Sequence, residues 1–274
     1  MYRHLLTPLV LVLALQFKVS AQTLMETVRQ NEMLICSHRG VSNPEEVENS
    51  LHSLARALGQ GIILHEIDLM ESKDGGLFLL HDETLDRTTT LSGYIKDKDS
   101  DELKQAQLLN SEEYLPSFEQ VLTWARQNNA FLMLDVKSAP LSKVMATVED
   151  YEMLNRVVLL TFTKSRAREA LDCSQEFPIS VLIQNSADID FYKEAFSNTD
   201  NLLGYVNQKA DYLLFKKVKE AGIPIVSDTM GELDSDAIAQ GGSAYLKFIE
   251  QKKPDILVSD YPLLVKAALA QYAF

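Results

Sequence analysis

Cysteine is scarce in this chain: Cys36 and Cys173 are the only two among 274 residues. That excludes a disulfide-stapled scaffold and any zinc site built on paired thiols. Cys36 sits inside an apolar run and Cys173 follows a helix-like stretch far away, so both are expected to be buried free thiols. Basic residues are in deficit, 26 against 39 acidic, for a net charge of −13. A broad nucleic-acid-binding surface or an anchor on anionic membranes is therefore excluded. Any phosphate this protein handles must be held locally, by a metal or a few well-placed cations. The glycine-rich first turn of doubly wound nucleotide-binding sheets is missing, as are repeats, low-complexity tracts and interdomain linkers. With 46% hydrophobic and 24% charged residues, disorder and collagen-like structure are excluded too.

The apolar run Leu5–Phe17 is 13 residues long, short of the roughly 20 that a helix needs to span a bilayer. Arg3 and His4 precede it, and Val19-Ser20-Ala21 follows as a small-residue cleavage pattern. No cysteine follows, so a lipid-modified start is not indicated. Residues 1–21 are read as an export signal cleaved near Ala21, which makes the mature chain 22–274 exported (periplasmic or secreted), with no stable membrane insertion. Loss of Arg3 and Lys18 takes the net charge from −13 to −15.

Along the mature chain, short β-branched and aliphatic runs alternate with amphipathic stretches. Strands are expected at 33–37, 61–70, 131–137, 156–162, 179–183, 202–206, 223–227 and 255–259. Helices are expected at 48–59, 117–128, 141–151, 164–171 and 210–221, where apolar residues recur every three or four positions. Eight strands alternating with helices over about 250 residues predict a TIM (β/α)8 barrel. The gap between the second and third strands is long. Asp74-Gly75-Gly76 is a hairpin-turn signal ahead of a further run, Leu77–His81. A small insertion of about residues 71–117 is expected there, within one domain.

Barrel active sites lie at the C-terminal ends of strands, and there the polar residues gather. The first strand runs into Ser37-His38-Arg39-Gly40, the second ends Glu66-Ile67-Asp68, the hairpin ends His81-Asp82, and the next strand ends Asp135-Val136-Lys137. Residues two apart on a strand share a face, so Glu66 projects with Asp68 and Asp135 with Lys137. Charges buried there without partners would cost several kcal/mol. A divalent cation offsets that cost for Glu66, Asp68 and Asp135, and all-oxygen ligands suit Ca²⁺ or Mg²⁺. His52 and His65 are read as structural, Trp124 as helix packing, and the acidic run 97–102 as a solvated face.

The order His38-Arg39-Gly40, Glu48-Asn49-Ser50, Glu66-x-Asp68 and His81-Asp82 resembles the glycerophosphodiester phosphodiesterase family. So do Asp82-Glu83-Thr84-Leu85-Asp86-Arg87-Thr88-Thr89, Leu115-Pro116-Ser117-Phe118-Glu119 and Val258-Ser259-Asp260-Tyr261-Pro262. The resemblance implies metal-dependent hydrolysis of small glycerophosphodiesters to glycerol 3-phosphate and an alcohol. It implies His38 and His81 as the acid/base pair, Arg39 and Lys137 on the phosphate, and Glu66, Asp68 and Asp135 on a divalent cation. Glu48 and Asn49 are implied as supporting residues. Either histidine can be the base; His38 is the preferred reading. The remaining alternatives are a phospholipase or sphingomyelinase D-like enzyme of the same fold, and a non-catalytic barrel that binds a phosphorylated ligand.

Three departures accompany the resemblance. Asp135 stands where the family usually has Glu. Asn43-Pro44-Glu45-Glu46-Val47 puts the proline away from Glu48. Ser227-Asp228-Thr229-Met230 replaces a tryptophan-containing run, which bears on the substrate pocket.

Overall fold

A computed structural model describes residues 22–30 and 33–272; the expected export signal lies outside the described residues. The strands are β1 (Leu34–Ser37), β2 (Leu64–Glu71), β3 (Leu77–Leu79), β4 (Phe131–Val136), β5 (Val157–Thr161), β6 (Ile179–Leu182), β7 (Leu202–Tyr205), β8 (Ile225–Asp228) and β9 (Ile256–Ser259). All except β3 pair in parallel in the order β1-β2-β4-β5-β6-β7-β8-β9, and β9 pairs back onto β1. The result is a closed eight-stranded barrel of the predicted TIM type, in which each expected strand is present with its ends within three residues.

Strand parity explains how this barrel is filled. Inward positions begin apolar, with Leu34 and Cys36 on β1, Leu64 on β2, Phe131 and Met133 on β4, and Val158, Leu203, Val226, Ile256 and Val258 beyond. Carried two residues further, the same parity delivers His38, Glu66, Asp68, Asp135, Tyr205, Asp228 and Asp260 to the C-terminal end. One periodicity thus makes an apolar floor and a polar mouth. Outward positions meet the helices. The helix Phe118–Gln127 buries Phe118, Val121, Leu122 and Ala125 at the i, i+3, i+4, i+7 spacing, and starts at a capping box between Ser117 and Gln120.

A helix at Leu24–Gln30 closes the floor. Its Leu24, Met25 and Val28 join the barrel-interior cluster, and Thr23 and Glu26 cap it reciprocally at 2.9 and 3.1 Å. Leu24 is wholly buried. Leu24→Ala is therefore expected to destabilise the fold by about 2–5 kcal/mol, and thermal melting should show a drop of several degrees. An unchanged melting temperature would show that this helix plugs nothing.

Between β2 and β4, residues 72–117 carry a second, smaller core of Phe78, Leu80, Leu85, Ile95, Leu103, Leu108 and Leu115 packed on Met70. β2 overshoots the barrel rim, and β3 pairs antiparallel with that overshoot, Leu69 opposite Leu79 and Glu71 opposite Leu77. The hairpin turns the chain back toward the mouth, so an antiparallel strand brings His81 to the same end as the parallel ones. The acidic residues Asp97, Asp99, Asp101 and Glu102 on this excursion are exposed, as expected.

Two expectations need correction. The first barrel helix starts at Leu51, three residues later than predicted, because Asn49 has a left-handed backbone (φ 53°) and Ser50 is the N-cap, accepting from Ser53 N at 3.1 Å. Glu48 and Asn49 are therefore loop residues. Cys173 is free as expected but exposed, because it is the last residue of the helix Lys164–Cys173, on its solvent side; Cys36 is buried. The bland readings of two other residues agree with their surroundings. His65 faces outward from β2, paired with Ser37 Oγ at 2.8 Å and edge-on to Trp124 at 5.8 Å between ring centroids. Burial pushes its imidazole down to about 3, so it is a neutral packing residue at physiological pH.

Candidate active site at the barrel mouth

Glu66 and Asp68 on β2 and Asp135 on β4 each turn a carboxylate oxygen into one space, with all three oxygens within 4.8 Å of one another. The register explains the meeting, since Asp68 lies directly opposite Asp135. Glu66 and Asp68 are 3% and 1% exposed, so their charges are removed from water. Burial, and then the Asp68 charge, push the Glu66 carboxyl up to about 8. Lys137 Nζ answers part of this charge, at 2.5 Å from Asp135 Oδ2 and 3.0 Å from Asp68 Oδ1. Burial works to lower the Lys137 ammonium, but Asp68 and Asp135 outweigh it and hold it above its usual value. Three oxygen acids around one point, two of them buried, form a donor set that fits a hard divalent cation. The shorter Asp135 still reaches the group.

The turn after β1 supplies the next layer. Arg39 has a left-handed backbone (φ 51°), and Gly40 follows at φ 74°, which aims the Arg39 N–H at Glu66 Oε2, 2.8 Å away. A side chain on Gly40 would meet Leu54 Cδ2 at 2.6 Å, so glycine is required twice over, by conformation and by space. The Arg39 guanidinium lies 3.2 Å from both Glu48 oxygens and 3.7 Å from Asp68. Its Nε is buried without a hydrogen bond, with Asp68 Oδ2 the acid it faces at 3.7 Å, which sets a positive charge beside the cluster. Asn49 clamps Asp68, donating from Nδ2 to Oδ2 at 2.9 Å and accepting the Asp68 N–H at 3.1 Å.

Each histidine rests on its own carboxylate. His38 Nδ1 is 2.6 Å from Asp260 Oδ1, and its Nε2 is 3.9 Å from Glu66 Oε2. An ionised carboxylate only accepts, so Nδ1 carries the proton and Nε2 is the atom presented to the cluster. Burial works to lower the His38 imidazole, but the Asp260 hydrogen bond and the Glu66 charge raise it overall. His81 Nδ1 is 2.8 Å from Asp82 Oδ1. Arg87 then joins the halves, donating to Asp82 at 2.5 Å and to both Glu48 oxygens at 2.7 and 2.8 Å. Arg87, ahead of His81, holds the Asp82 carboxyl down to about 2.

Every residue singled out from the motifs therefore lies at this end of the barrel, in unequal roles. Glu66, Asp68, Asp135, Lys137, Asn49 and Arg39 touch one another directly. His38 reaches the group through Glu66. His81 reaches it through Leu80 N–H on the Asp68 carbonyl, 3.2 Å, and through the chain Asp82–Arg87–Glu48–Arg39. Sequence reasoning assigned no role to Asp260 or Arg87. Their motifs were visible, but the partner of Asp260 lies 222 residues away.

A closed parallel barrel gathers an acid cluster, flanking cations and two carboxylate-backed histidines at its C-terminal mouth, which is therefore the candidate active site. The model of the glycerophosphoryl diester phosphodiesterase family matches residues 38–264, and the chain belongs to that family. A glycerophosphodiester phosphodiesterase of Bacillus altitudinis is 31% identical over 141 residues, 47% of this chain and 57% of the relative. One from Caldanaerobacter subterraneus is 27% identical over 163 residues, 55% of this chain and 67% of the relative. These alignments thus span between about half and two thirds of either partner. Solved structures carry the fold across nearly the whole chain. A glycerophosphoryl diester phosphodiesterase of Parabacteroides distasonis superposes with a TM-score of 0.79 at 22% identity, covering 92% of this chain and 94% of that one. An Oleispira antarctica phosphodiesterase, solved with its product sn-glycerol-3-phosphate, gives 0.71 at 24%, covering 86% and 96%.

Proposed function

We propose that this protein hydrolyses small glycerophosphodiesters to glycerol 3-phosphate and an alcohol. The observation that carries the reading is the convergence of the Glu66–Asp68–Asp135 cluster with two histidines, each backed by a carboxylate. Family membership supports the reaction class, and the glycerol 3-phosphate held by the Oleispira relative supports the product.

Glu66, Asp68 and Asp135 would hold a divalent cation, Ca²⁺ or Mg²⁺, which when bound neutralises charge on the phosphate. The Arg39 guanidinium and Lys137 add positive charge at the non-bridging oxygens. His38, with its Nδ1 proton fixed by Asp260, removes a proton at Nε2 from the attacking hydroxyl, which is either water or a neighbouring glycerol hydroxyl whose attack forms a cyclic phosphate that water then opens to glycerol 3-phosphate. His81, oriented by Asp82, delivers a proton to the leaving alkoxide. Asn49 keeps Asp68 facing the cluster, and Glu48 with Arg87 keeps Arg39 and Asp82 in place.

We also propose export. Residues 1–21 act as the signal, and Thr23, which caps the first described helix, lies two residues beyond the cleavage point at Ala21. Among the described residues no helix is long and apolar enough to cross a membrane.

The test is release of glycerol 3-phosphate from glycerophosphoethanolamine by the purified mature chain, with Ca²⁺, Mg²⁺ or excess chelator. Activity with one of the cations and none with chelator is expected. Activity restricted to intact phospholipid, or undiminished in chelator, contradicts this reading.

A further inference from the structure

The barrel mouth has a second half that the chemistry above leaves unused. A cavity of about 80 Å³ runs from Glu66 and Asp135 across to Phe162, Tyr205, Asp228 and Met230. Asp228 ends β8 on the inward parity and is 5% exposed. Its hydrogen bonds come from neutral groups. The Tyr205 hydroxyl donates to Oδ2, and Gln208 Nε2 donates to Oδ1 at 2.9 Å while also reaching the Met230 carbonyl at 2.7 Å. Burial, followed by the Asp228 charge, raises the Tyr205 phenol, so it remains a donor. Among the described residues no Lys, Arg or His forms an ion pair with Asp228, whereas Asp68 and Asp135 both pair with Lys137. Phe162 is 40% exposed and stands edge-on to Tyr205, 5.6 Å between centroids.

A carboxylate drawn into a pocket of aromatic and aliphatic side chains, held rigid by neutral donors and given no counter-ion, is arranged for a cation supplied from outside. Asp228 is not among the Glu66, Asp68 and Asp135 donors that could share one ion, and the cavity joins it to that group, so a cation beside Asp228 belongs to the molecule that occupies the phosphate site. We propose that this half of the mouth receives an alkylammonium group on the alcohol moiety of the phosphodiester. Asp228 is its counter-ion, and Phe162 and Tyr205 are its apolar and π-face contacts. The inference rests on the phosphodiesterase reading above and specifies which alcohol that site selects. An uncharged polyol in the same place gains neither the ion pair nor the ring contacts.

The test compares kcat/KM for glycerophosphoethanolamine and glycerophosphoglycerol in the cation-loaded enzyme, in Asp228→Asn and in Phe162→Leu. The native enzyme should prefer the ethanolamine diester by about tenfold or more. Asp228→Asn should cut that preference about tenfold, chiefly through KM, and Phe162→Leu should cut it severalfold. Ethylammonium chloride should inhibit the native enzyme competitively, beyond matched sodium chloride; this arm depends on no variant folding. The inference is overturned by a native preference near one, by parallel losses on both diesters in Asp228→Asn, or by ethylammonium no more inhibitory than sodium. Parallel losses would mean that Asp228 only buttresses Tyr205 and Gln208. A native enzyme that cleaves neither diester refutes the phosphodiesterase reading itself, a distinct result.

Discussion

His38→Ala is expected to lower turnover of a glycerophosphodiester by a factor on the order of 10² or more, and His81→Ala by a similar factor. Asp260 holds His38 Nδ1 at 2.6 Å, so the ring can offer only Nε2 to the mouth, and that atom faces Glu66 from 3.9 Å. No other described imidazole occupies that position: His65 points out of the barrel against Trp124, and His52 lies on the outer helix. Removing the ring thus deletes the proton carrier with nothing to replace it. The side chains of His38 and His81 are part-exposed, at 18% and 33%, so their loss should leave the fold intact, and melting temperature is the control. Asp260→Asn should give a smaller loss in kcat at nearly constant KM, because it frees the tautomer without removing the ring. Full turnover in either alanine variant, with melting unchanged, would eliminate the acid/base assignment.

How much of this was legible beforehand depended on whether the signal was local. The eight barrel strands were readable because each is buried on both faces and so appears as a short, mostly apolar run. Glu66, Asp68 and Asp135 were readable because they interrupt such runs at their C-terminal ends with the inward parity. The entry to the first helix was misplaced because Asn49 and Ser50 decide it by left-handed backbone and capping, while Glu48 looks like an ordinary helix former. Asp260 and Arg87 went unassigned because their roles consist of contacts to residues distant in the chain. The Tyr205–Asp228 half of the mouth was accessible in principle. The run Ser227-Asp228-Thr229-Met230 already bears on the substrate pocket, but a strand expected to end at Ser227 hides that Asp228 continues it with the inward parity. Cys173, expected just beyond a helix ending at residue 171 and buried, instead ends that helix on the side away from its buried positions Ala167, Ala170 and Leu171.

Glu66→Gln is expected to separate cation binding from folding. In the native chain the three carboxylate oxygens lie within 4.8 Å of one another, and burial, followed by the Asp68 charge, raises the Glu66 carboxyl to about 8, so it is mostly protonated near neutral pH until a cation binds. Glutamine keeps the length and can still accept the Arg39 N–H, now made at 2.8 Å, but it cannot ionise to meet a bound cation. Without added cation, therefore, the variant should melt near the native temperature at neutral pH, since a neutral amide replaces a mostly protonated acid. With cation at about 100 times its dissociation constant, the native chain should gain about 2.7 kcal/mol, several degrees in melting temperature, and the variant should gain almost none. Turnover should fall by a factor on the order of 10² to 10³, because neutralisation of the phosphate depends on the bound ion. Thermal melting in chelator, Ca²⁺ and Mg²⁺ reads the binding, and product release reads the chemistry. An equal cation-induced shift in both proteins would place the ion elsewhere. A variant that melts well below the native chain in chelator would mean that Glu66 is held by His38 and Arg39 as a structural group, with the cluster stabilising the barrel without any ion.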